Sequence, residues 1–139
     1  MIILDTNVVS EPMRPAGSPA VLDWLDRQMA ETLYLTATSL SELLTGVEIL
    51  PEGRRKEAMA AMMGGLVKAL FGERVLAFDA PAARAYAQVV SRARAKGYSI
   101  AVADGQIAAI AQVHGFTVAT RDIGPFEAAG LAFVNPWEE

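Results

Sequence analysis

Apolar positions along the chain follow two rhythms. Short runs of β-branched, aliphatic or aromatic residues at Ile2-Ile3-Leu4, Leu33 to Ala37, Val75 to Phe78 and Phe116 to Ala119 predict strands. Between them the apolar positions recur with helical spacing. Ser18-Pro19 opens one helix as a capping hydroxyl followed by proline at the first helical position, and Val21, Leu22, Trp24, Leu25 and Met29 give it an apolar side. Ser39 opens a second, which carries Leu40, Leu43, Leu44 and Val47. A third runs from Glu52 to about Phe71, although Gly64-Gly65 in its middle weakens it by about 1 kcal/mol per glycine. Asp79 caps a fourth, with Pro81 in its first turn and Gly97 as its stop, and a fifth covers Ala101 to His114 before Gly115. With a last strand at Leu131 to Val134, the expected order is β-α-α-β-α-α-β-α-α-β.

Strands that alternate with helices and are apolar on both faces predict a parallel sheet covered on both sides: a three-layer α/β/α sandwich around four to five strands. At 139 residues, without repeats or a dividing linker, the chain is expected to form a single domain over 1–139. Hydrophobic residues make up 53% and charged residues 20%, which excludes extended disorder. Cysteine is absent and His114 is the one histidine, so disulfides and thiolate metal sites are excluded and any metal must be held by oxygen. No run reaches a membrane span and no signal peptide opens the chain, so a cytoplasmic protein is expected. The net charge of −4 taken alone weighs against a nucleic-acid ligand.

In an open parallel sheet, ligands bind where loops leave the carboxyl ends of the strands. Asp5 follows the first strand, Glu42 lies early in the helix after the second, and Asp122 follows Val118-Ala119-Thr120. Asp104 comes early in the helix AVADGQIAAIAQVHG, where Ile107, Ala108 and Ala111 form a buried stripe that aims it inward. Two like charges about 4 Å apart repel by roughly 4 kcal/mol at an effective dielectric of 20, so four converging carboxylates need a counter-ion. The fitting one is a hard divalent cation, Mg²⁺ or Mn²⁺. Each acid taken singly also has a structural reading. Asp5 can cap a helix, Ser39-x-x-Glu42 is a capping box, Asp104 suits a helix dipole and Asp122 a turn before Gly124-Pro125. Their coincidence at one edge favours the metal.

The segments LDTNVVSEPMRP, SLSELLTGVEIL, ADGQIAAIAQVHGFTVATRD and FVNPW together resemble the PIN-domain family, nearest the ribonuclease toxins of VapBC-type toxin–antitoxin pairs and their FitB-like branch. The resemblance spans nearly the whole chain. It implies that Asp5, Glu42, Asp104 and Asp122 are the family's acidic quartet, binding Mg²⁺ or Mn²⁺ and catalysing hydrolysis of RNA phosphodiesters, with Asn7 and Thr120 as supporting residues. It also implies a homodimer and a small DNA-binding antitoxin that blocks the pocket within a hetero-oligomer. Hydrolysis aided by a cation needs no side-chain nucleophile, which suits these motifs.

Arg14 and Arg121 are candidate phosphate contacts at the rim, with Arg54, Arg55 and Lys56 behind them, although most such charges are simply solvated. Met59, Met62, Met63, Leu66, Val67, Leu70 and Phe71 are an apolar surplus that suits either core packing or a partner. Trp24 reads as core and Trp137 as a cover over the sheet edge, neither as a base-stacking platform, and His114 reads as a helix-end residue. Two other chemistries fit less well. Phosphoryl transfer of the haloacid-dehalogenase type wants an aspartate where Asn7 stands, and a receiver wants a lysine after the last strand, where none follows Lys96. The non-enzymatic alternative is a metal-binding α/β module that partners a DNA-binding antitoxin or regulator.

Overall fold

The computed structural model describes residues 1–139 and places five short parallel strands in the order β3-β2-β1-β4-β5. These are β1 (Ile2–Leu4), β2 (Leu33–Thr36), β3 (Val75–Leu76), β4 (Thr117–Ala119) and β5 (Phe133–Val134). The helices are α1 (Thr6–Ser10), α2 (Pro19–Asp26), α3 (Ala37–Glu48), α4 (Arg54–Phe71), α5 (Ala80–Ala95), α6 (Val102–His114) and α7 (Gly124–Ala128), and a 3₁₀ turn at Glu11–Met13 follows α1. Parallel strands need crossover connections, and helices supply them here. The expected sandwich with a five-stranded parallel sheet is what forms.

Pleating sends alternate residues to opposite faces, and the two apolar cores divide accordingly. Leu4, Leu33, Leu35 and Ala119 join Val8, Val9, Trp24, Leu43 and Phe71 on one side. Ile3 and Val118 join Ala82, Val89, Ile107, Ile110 and Phe126 on the other. Ile3, Leu4, Leu33 and Leu35 are essentially inaccessible to solvent. At about 25 cal/mol per Å² of apolar area, this two-sided burial is what holds the three inner strands β1, β2 and β4, of three to four residues, in place.

Most elements fall where the apolar rhythm puts them, and the departures have local causes. Val75 to Phe78 shrinks to two paired residues because β3 is an edge strand with one neighbour. The Ser18 hydroxyl does not cap α2; its backbone N–H donates instead to the Glu11 carboxylate at 3.0 Å, closing the loop that leads into the helix. Helix α2 ends at Asp26, which leaves Met29 outside it and exposed. Ser39 does not open α3. The helix begins two residues earlier, because the Thr36 hydroxyl accepts from the Ser39 N–H at 3.0 Å and takes the capping position. Asp79 caps α5 as expected, accepting from the Ala82 N–H at 3.1 Å.

Gly64 and Gly65 lie within an uninterrupted α4. The apolar surplus of that helix goes largely to the core: Met63 and Phe71 are buried, and Met59, Leu66, Val67 and Leu70 pack against the first cluster, leaving Met62 exposed. Trp24 is core, and Trp137 packs against the same cluster. Helices α1 and α7, each of five residues, are too short to register as periodic patterns. No helix is long and apolar enough to cross a membrane.

Candidate functional site

Strand register builds the first half of the site. Leu4 pairs with Ala119, and the Asp5 N–H donates to the Ala119 carbonyl at 2.9 Å, so the next residues on each strand, Asp5 and Thr120, emerge side by side. The Thr120 hydroxyl donates to Asp5 Oδ2 at 2.8 Å and accepts from the Asp122 N–H at 3.1 Å, linking both acidic loops through one oxygen. Asp5 Oδ1 accepts from the Thr6 N–H at 2.8 Å and caps α1. Capping and a place in the cluster are therefore both true of Asp5, which is 6% exposed.

Helix α3 delivers the third acid. With Thr36 as its cap, the Ser39-x-x-Glu42 capping box does not form, and the Ser39 hydroxyl is buried without a partner. Glu42, now in the second turn, instead accepts from the Thr6 hydroxyl at 2.8 Å. Asp104 stands in the first turn of α6, half-buried, with Ile107, Ala108 and Ala111 beneath it in the core as the spacing requires. Two contacts set the pose of α6. The Tyr86 ring lies 2.7 Å from where a Cβ on Gly105 would stand, so only glycine admits this approach of α5 to α6. The Thr38 hydroxyl donates to Gln106 Oε1 at 2.9 Å and ties the start of α3 to α6. Thr6, Thr38, Gln106 and Gly105 give no signal in the sequence because their partners lie far away in the chain; only the Asp-Gly pair at 104–105 hints at a close approach.

The electrostatics couple the four acids. Burial raises the pKa of Asp5, partly opposed by its bonds from Thr120 and Thr6, and the charges of Glu42 and Asp122 raise it further. Asp104 is pushed up from 3.8 to about 6, first by burial and then by the charges of Asp5, Asp122 and Glu42. No side-chain cation answers them. The ion pairs of the chain are Arg14 with Glu11 at 3.7 Å and Lys56 with Glu48 at 3.8 Å and Glu52 at 2.7 Å, and none includes a member of the quartet.

Carboxylates with hydroxyls behind them have the chemistry that a hard divalent cation would need. The residues fit that group in chemistry, but no three of them stand in a geometry that would hold an ion as they are. Asp5 is held by two hydrogen bonds and Glu42 by one from Thr6, and both Glu42 and Asp122 are exposed.

The supporting residues divide. Thr120 lies within the cluster, whereas Asn7 sits at its rim, where Asn7 Oδ1 accepts from the Arg121 N–H at 3.3 Å. The Arg121 guanidinium lies 5.1 Å from the centre of the Trp137 ring, a cation–π contact that explains how the tail reaches this edge. Lys56 spends its charge on Glu48 and Glu52, away from the acids. His114 lies against Phe116, with ring centres 5.3 Å apart, and takes no part. Beside Glu42 a groove of about 390 Å³ opens between α1, α3 and α4, floored by Leu43, Val47, Met59 and Met63, with Arg14 at its mouth.

A family model described as PIN domain matches residues 2–131. The chain is 49% identical over 138 residues to a protein named VapC ribonuclease Y4jK from Sinorhizobium fredii, covering 99% of both chains. It is 47% identical over 139 residues to toxin FitB from Neisseria gonorrhoeae, covering both completely. Among solved structures it is similar to one described as FitAB bound to the IR36 DNA fragment, with a TM-score of 0.94, 47% identity and coverage of 99% of this chain and 96% of that one.

Proposed function

Because the chain belongs to the PIN-domain family, we propose that it is a divalent-cation-dependent endoribonuclease, the toxin of a toxin–antitoxin pair. The observation that carries this reading is four carboxylates, coupled to one another at one sheet edge, with no cationic side chain to balance them. Mg²⁺ is the proposed ion and Mn²⁺ its substitute. When bound, such an ion lowers the pKa of water and draws charge from a phosphodiester.

The residues of the chain do the rest. Asp5 and Asp104 present negative oxygen from positions set by backbone register and helix packing, and Asp122 and Glu42 complete the set from exposed positions. Thr120 holds the Asp5 carboxylate in orientation, and the Thr6 hydroxyl holds Glu42. Arg121, steadied by Trp137, and Arg14 offer local positive charge for flanking RNA phosphates on a chain whose overall charge is −4. The FitAB structure supports a small antitoxin with a DNA-binding part as partner, and the apolar groove beside Glu42 offers that partner a seat next to the acids. A homodimer of the chain is proposed as well.

Labelled RNA incubated with Mg²⁺, with Mn²⁺ and with EDTA tests the reading. Cleavage is expected only with the ion, giving 5′-phosphate and 3′-hydroxyl ends, and is expected to disappear in Asp5→Asn and Asp104→Asn. Products ending in 2′,3′-cyclic phosphate, or cleavage indifferent to EDTA, would overturn it.

A further inference from the structure

Glu11 is the one carboxyl group besides Asp5 that the fold buries, at 5% exposed, and the proposed reaction does not use it. It opens the 3₁₀ turn Glu11–Met13 that follows α1. Its Oε1 accepts from the Ser18 N–H at 3.0 Å, and its Oε2 lies 3.7 Å from Arg14 Nη1. The backbone closes the same loop: the Arg14 N–H donates to the Glu11 carbonyl at 3.1 Å and the Gly17 N–H to the Arg14 carbonyl at 3.2 Å. A Cβ on Gly17 would stand 2.8 Å from the Glu11 carbonyl oxygen, so the loop closes this tightly only with glycine there. Arg14 is thus carried on a short, tied loop, its side chain 64% exposed at the mouth of the groove that Thr6 and Glu42 also line.

Burying a carboxylate is costly, and the loop does not by itself call for one. The bond to Ser18 asks only for an oxygen, which a glutamine would supply as well. The negative charge has a single cation to act on, Arg14. At 3.7 Å the two attract without a hydrogen bond, so the guanidinium keeps its N–H donors for another acceptor. We propose that Glu11 is a positioning residue: its buried carboxylate holds the Arg14 guanidinium oriented at the groove mouth, where the fork donates to an RNA phosphate flanking the one cut at the acids. The inference rests on the ribonuclease reading and names what aims one of its phosphate contacts. Orientation, rather than charge alone, is what Arg14 then contributes.

Glu11→Gln keeps an acceptor for the Ser18 N–H and removes the charge. For a short single-stranded RNA, KM is expected to rise ~5-fold with kcat within about twofold, as the loss of a contact made equally before and during the reaction implies. Charge alone predicts the opposite sign, because deleting a carboxylate near a polyanion lowers repulsion. In the Arg14→Gln background, Glu11→Gln is expected to change KM no further. Arg14→Lys, at an exposed position, keeps the charge without the planar fork and is expected to raise KM by a similar factor. That variant carries the test should Glu11→Gln fail to fold. An unchanged or lower KM in folded Glu11→Gln, an equal effect with and without Arg14, or a wild-type KM in Arg14→Lys would each overturn the inference and leave the ribonuclease reading standing. A wild type that neither cuts nor binds RNA would overturn both.

Discussion

Two acidic groups in this protein have opposite fates. Around the turn from α3 to α4, Glu48 and Glu52 share Lys56, whose ammonium also donates to the Glu48 carbonyl at 3.0 Å. At the carboxyl edge of the sheet, Asp5, Glu42, Asp104 and Asp122 share only hydroxyls, N–H groups and one another's repulsion. The first group lies in solvent, where an ion pair is worth about 0–1 kcal/mol, so its balance is a surface detail. The second combines the burial of Asp5 and the half-burial of Asp104 with charge that no cationic side chain pairs. A site shows here as a missing counter-charge more than as an abundance of acid.

The largest break in this contrast is expected from Asp104→Asn and Asp5→Asn. Each is expected to lower Mn²⁺-dependent RNA cleavage more than ~100-fold, beyond the range seen on removing an outer partner of a metal ligand, with the circular dichroism spectrum unchanged. Next comes Thr120→Val, which leaves Asp5 Oδ2 without its donor. Mn²⁺ affinity by titration calorimetry is expected to fall ~10-fold, and an unchanged affinity would remove Thr120 from the site.

The pH dependence of stability gives a smaller, sharper contrast. Burial, then the charges of Asp5, Asp122 and Glu42, push the Asp104 carboxyl from 3.8 up to about 6 in the folded chain, so folding favours its protonated form. The stability this adds is fully present below about 3.8 and is lost as pH rises through about 6. After allowance for the solvent screening of a half-exposed group, that loss is about 1 kcal/mol. In EDTA the melting temperature is expected to drop over this window in wild type and much less in Asp104→Asn. At neutral pH, Mn²⁺ is expected to restore it in wild type alone; equal restoration in both would count against Asp104 as a ligand. The smallest effect belongs to the balanced group, where Lys56→Met is expected to lower stability only slightly by denaturant titration, more at low salt than at high, and to leave cleavage as it was.

Much of this was legible in the sequence. Residues 2–4, 33–36 and 117–119 announce themselves as strands because burial on both faces demands unbroken apolar runs. Asp5 follows such a run directly, Asp122 comes three residues after another, and Asp104 sits over the stripe Ile107, Ala108 and Ala111, so their common edge could be inferred from strand ends and helical period alone. Glu42 shows where local rules stop. Ser39-x-x-Glu42 satisfies the capping-box pattern, yet Thr36 captures the Ser39 N–H and the glutamate turns to Thr6. Several hydroxyls of this chain could cap α3, and a one-dimensional pattern cannot rank them.

Tyr98 marks the same boundary from the other side. Nothing in its neighbourhood of Gly97 and Ser99 distinguishes it, and only the packing of α7 brings Gly124 against its phenol. The sequence by itself determined the alternation of strands and helices, the two apolar faces and the edge on which three of the acids emerge, because these follow from periodicities of two and 3.6 residues. Tertiary structure alone decided which hydroxyl holds which carboxylate, how far burial raises Asp104, and which aromatic ring packs on Gly124. Those depend on distances between residues tens of positions apart, which the packing of α3, α6 and α7 against the sheet sets and no local pattern encodes.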